Sequence, residues 1–128
     1  MADNGFFHWN ELMTTDPEGA KAYYGATVGW SFNPMPMDEG GTYWVCMMGD
    51  KPCGGIMQLL GVSPDGTPPH WFTYLAVDDL DARLEKATSM GGTVLREPFE
   101  VLGIGKIAMV QDPQGAPMGW ITPAEQPS

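Results

Sequence analysis

The stretch from His70 to Gly92, HWFTYLAVDDLDARLEKATSMGG, decides the fold of this chain. Trp71–Val77 is rich in aromatic and aliphatic residues, which is typical of a buried strand. Asp78 or Asp79 can then cap a helix, because apolar residues follow at helical spacing. The two final glycines end the helix, since glycine adopts the left-handed conformation without a steric penalty. The stretch therefore predicts a strand, a capped helix and a glycine stop.

The N-terminal stretch FHWNELMTTDPEGAKAYYGATVGW, which starts at Phe7, repeats this plan. Phe6–Thr14 has the composition of a strand, and Asp16 can cap a helix that begins at Pro17. Gly29 closes the segment in the way that the paired glycines close the later one. The chain therefore contains an internal duplication of about 60 residues, the kind of repeat that determines the fold of a chain.

Two registers relate the copies. An offset of 62 residues pairs His8 with His70 and Trp9 with Trp71. An offset of 63 residues instead pairs the capping aspartates and the closing glycines of the two copies. We favour 63, because caps and glycine stops are required by backbone geometry, whereas a shared His-Trp pair can arise by chance. The choice matters, since a slip of one residue moves every strand side chain to the other face.

The complete pattern predicts an α+β fold of two tandem βαβββ modules. Module 1 spans residues 6–60 and module 2 spans residues 70–122, joined by a Pro- and Gly-rich linker at 61–69. The first helix presents a stripe of Ala20, Tyr23, Tyr24 and Thr27, which predicts a core-facing side. The remaining predicted elements are the strands Trp30–Met37, Thr42–Met48, Gly55–Leu60, Thr93–Phe99, Gly105–Gln111 and Pro117–Thr122, and the helices Pro17–Thr27 and Asp79–Met90.

Composition limits the function. The chain has 128 residues, 43% of them hydrophobic and 17% charged, which indicates one globular domain. A net charge of −10 with six Lys and Arg residues argues against nucleic acid and an anionic membrane surface as partners. Neither a signal peptide pattern nor a long apolar run occurs, so a cytoplasmic location without membrane insertion is expected. Cys46 and Cys53 flank a predicted hairpin turn, and small semi-buried thiols are favoured over a redox pair.

Three segments together resemble the vicinal oxygen chelate family of glyoxalases, bleomycin-resistance proteins and extradiol dioxygenases. They are Thr15 through Trp30, Phe72 through Gly92, and Lys106 through Ala116 with its Asp-Pro-Gln-Gly turn. The resemblance implies two βαβββ modules that form an incomplete barrel around a cavity, and it implies a homodimer. It does not fix an activity, because function varies widely on one scaffold.

In metalloenzymes of this family, metal ligands come from the first and last strands of each module. Under the 63-residue register, the matching first-strand positions are Trp9 and Phe72, and the last-strand positions lie near Gln58 and Gly119. Of these four side chains only the amide can coordinate a metal, and a site needs several converging ligands. The sequence therefore predicts no metal cofactor. A slipped register, in which His8 and His70 hold Zn, Fe, Ni or Mn, is the alternative.

The same register points Trp9, Phe72 and Tyr74 inward, with Gln58 as a polar group and Trp44 as a further candidate. An aromatic wall with a few polar groups is typical of a pocket for a small molecule, although aromatic side chains also simply fill cores. Glu11 shares the face of Trp9, where it is either an acid/base or ligand-polarising group or a solvated rim carboxylate.

Three functions remain open at this point. The first, which we favour, is a metal-free protein that binds a small organic ligand, neutral or cationic and aromatic, in this pocket. The second is a metal-dependent lyase, isomerase or dioxygenase that uses unusual ligands. The third is a non-catalytic dimeric scaffold.

Overall fold

The computed structural model describes residues 4–37, 41–58, 68–101 and 104–124. The chain divides into two compact units, residues 9–72 (the first unit) and residues 1–8 with 73–128 (the second unit). The order of elements is βαβββ–βαβββ, which confirms the predicted α+β class and the duplication. The elements are β1 (Phe6–Thr14), α1 (Pro17–Val28), β2 (Ser31–Pro36), β3 (Thr42–Met48), β4 (Lys51–Gln58), β5 (His70–Ala76), α2 (Leu80–Ser89), β6 (Thr93–Val101), β7 (Gly105–Gln111) and β8 (Pro117–Pro123).

In the first unit the strand order is β2-β3-β4-β1, with β1 and β4 parallel and the other neighbours antiparallel. Leu12, Cys46 and Ile56 form a buried cluster on the face of the strands that packs against α1. Asp16 caps α1 by accepting a hydrogen bond from the backbone N–H of Gly19 at 2.9 Å. At its other end, Gly29 adopts a φ of +85°, the left-handed conformation that glycine tolerates.

The predicted core-facing stripe of α1 is wrong in part. None of the residues of this helix, all of which the structure describes, is fully buried. Ala20 and Tyr24 pack against the buried cluster, but Tyr23 and Thr27 are exposed. The helix thus contacts the strands along a narrow line, and the outer part of the stripe stays in solvent.

In the second unit the order is β5-β8-β7-β6, with β5 and β8 parallel. Asp79 is the cap of α2 and accepts from the N–H of Ala82 at 3.1 Å. Asp78 instead binds the Arg83 guanidinium at 3.0 Å, so the choice between the two aspartates is settled. Unlike α1, α2 buries apolar side chains, and the buried cluster contains Val77, Leu80, Leu84, Ala108 and Val110.

The offset of 63 residues between the copies is confirmed. The two capping aspartates and the N–H groups that they bind are separated by this offset. The parallel strand pairs agree to within one residue, since Glu11 lies opposite Gly55 and Tyr74 lies opposite Gly119. Glu11 and Tyr74 therefore occupy equivalent positions in the two modules.

The largest differences from the predicted strands occur at prolines. β4 begins at Lys51 rather than at Gly55, and a register shift between Cys46 and Met47 accommodates Pro52. β6 continues past Pro98 to Val101, with a register shift on the way. Proline cannot donate to a strand ladder, and bulges are where strands tolerate it. Residues 61–67 of the predicted linker lie outside the described residues, and the module boundaries and the incomplete barrel stay predictions.

No helix in the described ranges is both long and apolar enough to span a membrane.

Candidate functional site

A polar cluster lies on the face of the first unit's strands opposite α1. Side chains alternate along a strand, and Leu12 and Ile56 face α1, so their neighbours Glu11 and Gly55 belong to the other face. Tyr43 of β3 reaches this face and covers Gly55. Trp9 is two residues before Glu11 and has the same parity. We call Trp9, Glu11 and Tyr43 the carboxylate cluster.

Hydrogen bonds connect the three side chains of the carboxylate cluster. Trp9 Nε1 donates to Tyr43 Oη at 2.8 Å. Tyr43 is hydrogen-bonded in turn to Glu11, and its pKa is raised well above the ordinary value of 10.0. Burial is the main cause, and the negative charge of Glu11 adds to it, whereas the bond from Trp9 acts in the opposite direction. The phenol therefore stays protonated. The indole donates to the phenol oxygen, and the phenol donates to the carboxylate.

Glu11 is the most deeply buried charged residue of this face, with 6% of its surface exposed. Burying a carboxylate is costly unless hydrogen bonds compensate, and the Tyr43 hydroxyl supplies one. A buried carboxylate oriented in this way can accept hydrogen bonds from a ligand, attract a positive group, or take up a proton. The carboxylate cluster is therefore the candidate functional site of the first unit.

Gly55 makes the position of Tyr43 possible. A Cβ built on Gly55 overlaps the Tyr43 hydroxyl and ring, so only glycine leaves room for the phenol above β4. Tyr43 and Gly55 were missed in the sequence, yet a signal was present. A glycine inside a strand often marks the close approach of another group, and Gly54-Gly55 interrupts an otherwise apolar run.

Two residues predicted to line the pocket lie elsewhere in the first unit. Trp44 packs on the α1 side, where the ammonium of Lys21 lies 3.1 Å from the centre of its ring. Gln58 pairs with Thr14, which places it on the α1 parity, and its Nε2 donates to the carbonyl of Thr15 at 3.0 Å. The structure therefore does not bring Trp44 or Gln58 to Glu11. The reason is strand parity, which the sequence predicted correctly for β1 but not for β4.

The remaining candidates divide between the units. Phe72 is buried in the first unit, with the ring of His70 6.3 Å away in an edge-on arrangement. Tyr74 is buried in the second unit and covers Gly119, where an added Cβ would overlap its ring. His8 is exposed, and His70 places Nδ1 2.8 Å from the carbonyl of Pro68.

The donor set does not fit a metal of the kind that the resemblance implies. Across the described ranges no group of three or more His, Cys, Asp or Glu side chains converges. Of the predicted ligand positions in the first unit, Trp9 on β1 has no coordinating side chain, and Gln58 on β4 lies on the α1 side, where its amide donates to the carbonyl of Thr15. Glu11 is the only acidic residue of this module's polar face in the described residues, and one carboxylate is insufficient for a site.

The cysteines are free thiols. Cys46 is buried, and burial together with the nearby Cys53 raises its pKa to about 12. Cys53 is exposed, and its Sγ lies 3.4 Å from the carbonyl of Cys46, to which it can donate. A raised pKa keeps a thiol protonated and unreactive.

Comparison with known proteins gives the family. The sequence model described as the glyoxalase/bleomycin resistance protein/dioxygenase superfamily matches residues 6–118. A protein of Mycobacterium bovis named "Putative glyoxylase CFP32" is 40% identical over 124 residues, covering 97% of this chain but 46% of the relative. The anthracycline biosynthesis protein DnrV of Streptomyces peucetius is 36% identical over 115 residues, covering 88% of this chain and 39% of the relative. The chain thus spans less than half the length of these curated relatives.

Solved structures agree on the fold. Methylmalonyl-CoA epimerase from Mycobacterium tuberculosis superposes with a TM-score of 0.67 at 18% identity, covering 98% of this chain and 93% of the epimerase. The hypothetical protein BH1468 from Bacillus halodurans gives a TM-score of 0.73 at 13% identity, covering 98% and 99%. With this fold, the repeated βαβββ order and the family match over almost its whole length, the chain belongs to the glyoxalase/bleomycin resistance protein/dioxygenase superfamily.

Proposed function

We propose that this chain binds a small organic molecule at the carboxylate cluster and does so without a metal held by protein side chains. The observation that carries the proposal is the buried carboxylate of Glu11, fixed by the Tyr43 phenol, which the Trp9 indole in turn orients at 2.8 Å. A preorganised polar group beside aromatic surface is the usual composition of a ligand site. The ligand would receive an oriented acceptor from Glu11 and apolar contact from the indole.

The donor set supports the metal-free form of the proposal. In the first unit, the predicted metal positions are Trp9, which has no coordinating side chain, and Gln58, which lies on the α1 side of the strands. In module 2 the positions are Phe72 and Gly119, neither of which has a coordinating side chain, and the Tyr74 ring lies over the glycine.

The chemistry of the cluster favours a neutral or cationic aromatic ligand. Glu11 repels anions, and the net charge of −10 adds a general field of the same sign. DnrV is named for anthracycline biosynthesis, which supports an aromatic ligand. We therefore infer a ligand that combines an aromatic ring system with a hydrogen-bond donor or an amine.

The test is to measure the affinity of the protein for an anthracycline that carries an amino sugar. Quenching of tryptophan fluorescence reports the binding. We expect saturable binding that survives removal of metal by a chelator. Glu11→Gln keeps the size of the side chain but removes its charge, and it should weaken binding about tenfold or more, the usual effect of losing a charged hydrogen bond.

Glu85→Gln is the matched control, because Glu85 is an exposed residue of α2 outside the cluster. It should leave the affinity unchanged. Equal affinities in the Glu11→Gln and wild-type proteins would contradict the site, and binding that requires added Zn, Fe, Ni or Mn would contradict the metal-free mechanism.

Proton transfer is a second candidate function, favoured by the hydrogen bond between Glu11 and Tyr43. Glu11 could remove a proton from a carbon next to a carbonyl, while the Tyr43 O–H, which donates to the carboxylate, holds Glu11 in position. Incorporation of deuterium into a bound carbonyl compound in heavy water, lost in Glu11→Gln, would distinguish this enzyme from a protein that only binds.

A further inference from the structure

A second site lies on the outside of the first unit. A cleft of about 360 Å³ opens between α1 and the start of β5, and we call it the outer cleft. Its lining includes the side chains of Asp16, Tyr23, Tyr24, His70 and Trp71. The volume falls in the range of small-molecule sites, and the outer cleft contains no residue of the carboxylate cluster.

The aromatic rings around the outer cleft hold one another in place. Trp71 Nε1 lies 3.3 Å from Tyr24 Oη, to which it donates, and the two rings meet edge to face with centres 5.6 Å apart. Trp30 supports both, at 5.4 Å from Tyr24 and 6.0 Å from Trp71. Tyr23 meets Tyr24 edge to face at 4.9 Å. The cleft is therefore lined by rings of fixed orientation rather than by loose side chains.

This aromatic surface is exposed. Tyr23 has 61% of its surface in solvent and Trp71 has 41%. Tyr23 belongs to α1, which has no fully buried residue, whereas the equivalent helix α2 buries two leucines. Clustered apolar surface of this kind on a folded chain often marks a binding site.

The charge around the outer cleft is negative. Asp16 contributes a carboxylate to the lining, which in the described residues contains no lysine or arginine. The nearby ammonium of Lys21 is directed elsewhere, to the ring of Trp44 and to Glu18 at 2.9 Å. The N-terminus of α1 carries partial positive charge, but Asp16 and Glu18 offset it.

We propose that the outer cleft binds an organic ammonium ion, held against the faces of Tyr23 and Trp71 with Asp16 as the counter-charge. Aromatic faces attract cations through the negative potential of the ring, and quaternary ammonium groups are bound in this way because they cannot donate hydrogen bonds. The site is separate from the carboxylate cluster, so either can exist without the other.

The experiment compares choline with its neutral carbon analogue, 3,3-dimethylbutan-1-ol, by saturation-transfer NMR on the methyl protons. Choline should bind saturably and about two- to fivefold more tightly than the analogue, the difference that one exposed cation–aromatic contact produces. In the wild-type protein it should also shift the indole N–H resonance of Trp71.

Two variants test the geometry. Trp71→Ala should abolish measurable choline binding, and Asp16→Asn should weaken it about threefold or more while keeping the helix cap, because asparagine caps as well as aspartate. Phe7→Ala is the control, since Phe7 is an exposed aromatic residue of the other unit. It should bind choline as the wild type does.

Three results would overturn the proposal. The first is equal binding of choline and its analogue, and the second is unchanged choline binding in both cleft variants. The third is absence of choline binding to the wild type, combined with a change of oligomeric state in Trp71→Ala. The last result would mean that a second copy of the chain covers the rings.

Discussion

Replacing Gly55 by alanine should disrupt the carboxylate cluster although Trp9, Glu11 and Tyr43 themselves are unchanged. Gly55 lies opposite Glu11 in the parallel pair of β1 and β4. An alanine Cβ there would overlap the hydroxyl and ring of Tyr43. We expect Tyr43 to leave its place, because its ring is a side chain whereas β4 is held by strand pairing on both sides, and the 2.8 Å bond from Trp9 is then lost.

The expected cost follows from two contributions. Overpacking a well-filled site costs about 1–3 kcal/mol, and the lost hydrogen bond adds about 1 kcal/mol. The free energy of unfolding should therefore fall by about 2–4 kcal/mol. For a chain of this length each kcal/mol lowers the melting temperature by about 4 °C, which gives a decrease of roughly 8–16 °C.

Urea unfolding measures this change, and a double-mutant cycle tests its cause. In a Tyr43→Ala background the overlap is absent, so Gly55→Ala should cost less than about 1 kcal/mol there. Gly25→Ala is the control, because a Cβ at that helical position meets its nearest atoms at 3.5 and 3.6 Å, an ordinary contact distance. It should be neutral or slightly stabilising. An equal cost of Gly55→Ala in both backgrounds would refute the assigned overlap.

Two further predictions concern ionisation. The folded state raises the pKa of Tyr43 above its ordinary 10.0, so the neutral phenol contributes stability below that pH which is lost as the pH rises beyond it. Urea unfolding from about pH 8 to pH 11 should show this loss, with a smaller loss in Tyr43→Phe, and an identical slope in the two proteins would contradict it. A thiol reagent at neutral pH should modify exposed Cys53 well before buried Cys46, whose pKa is about 12. Mass spectrometry of Cys53→Ser should then show little adduct, and rapid labelling of that variant would contradict the assignment.

Much of the fold could be predicted because its signals are local. A helix start is recognised from a capping aspartate and the few residues that follow it. The sequence predicts Asp16 as the cap of α1 and Asp78 or Asp79 as the cap of α2, and the caps are Asp16 and Asp79. The bounds of β1, β3 and β7 agree with the sequence for the same reason. The misplaced start of β4 has a different cause, since a bulge near Pro52 depends on the partner strand.

The site was harder to predict, because it depends on which strands are neighbours. Glu11 followed from simple alternation with Trp9 on one strand. Tyr43 did not, since its place is set by the pairing of β3 with β4 and by the space above Gly55. Gln58 follows from the register count of the last strand and Trp44 from its place on the central hairpin, but strand parity puts both on the face that packs against α1.

The two modules have kept one packing arrangement and diverged in chemistry around it. In each unit a glycine in the last strand lies under a tyrosine ring, Gly55 under Tyr43 and Gly119 under Tyr74. The tyrosine comes from β3 in the first unit and from β5 in the second. In the second unit the ring itself occupies the position equivalent to Glu11. Bringing the ring from another strand leaves the first-unit position open for a carboxylate, so module 1 alone carries the charged group. The two modules therefore differ at one equivalent position, where module 1 has the buried carboxylate of Glu11 and module 2 has the ring of Tyr74.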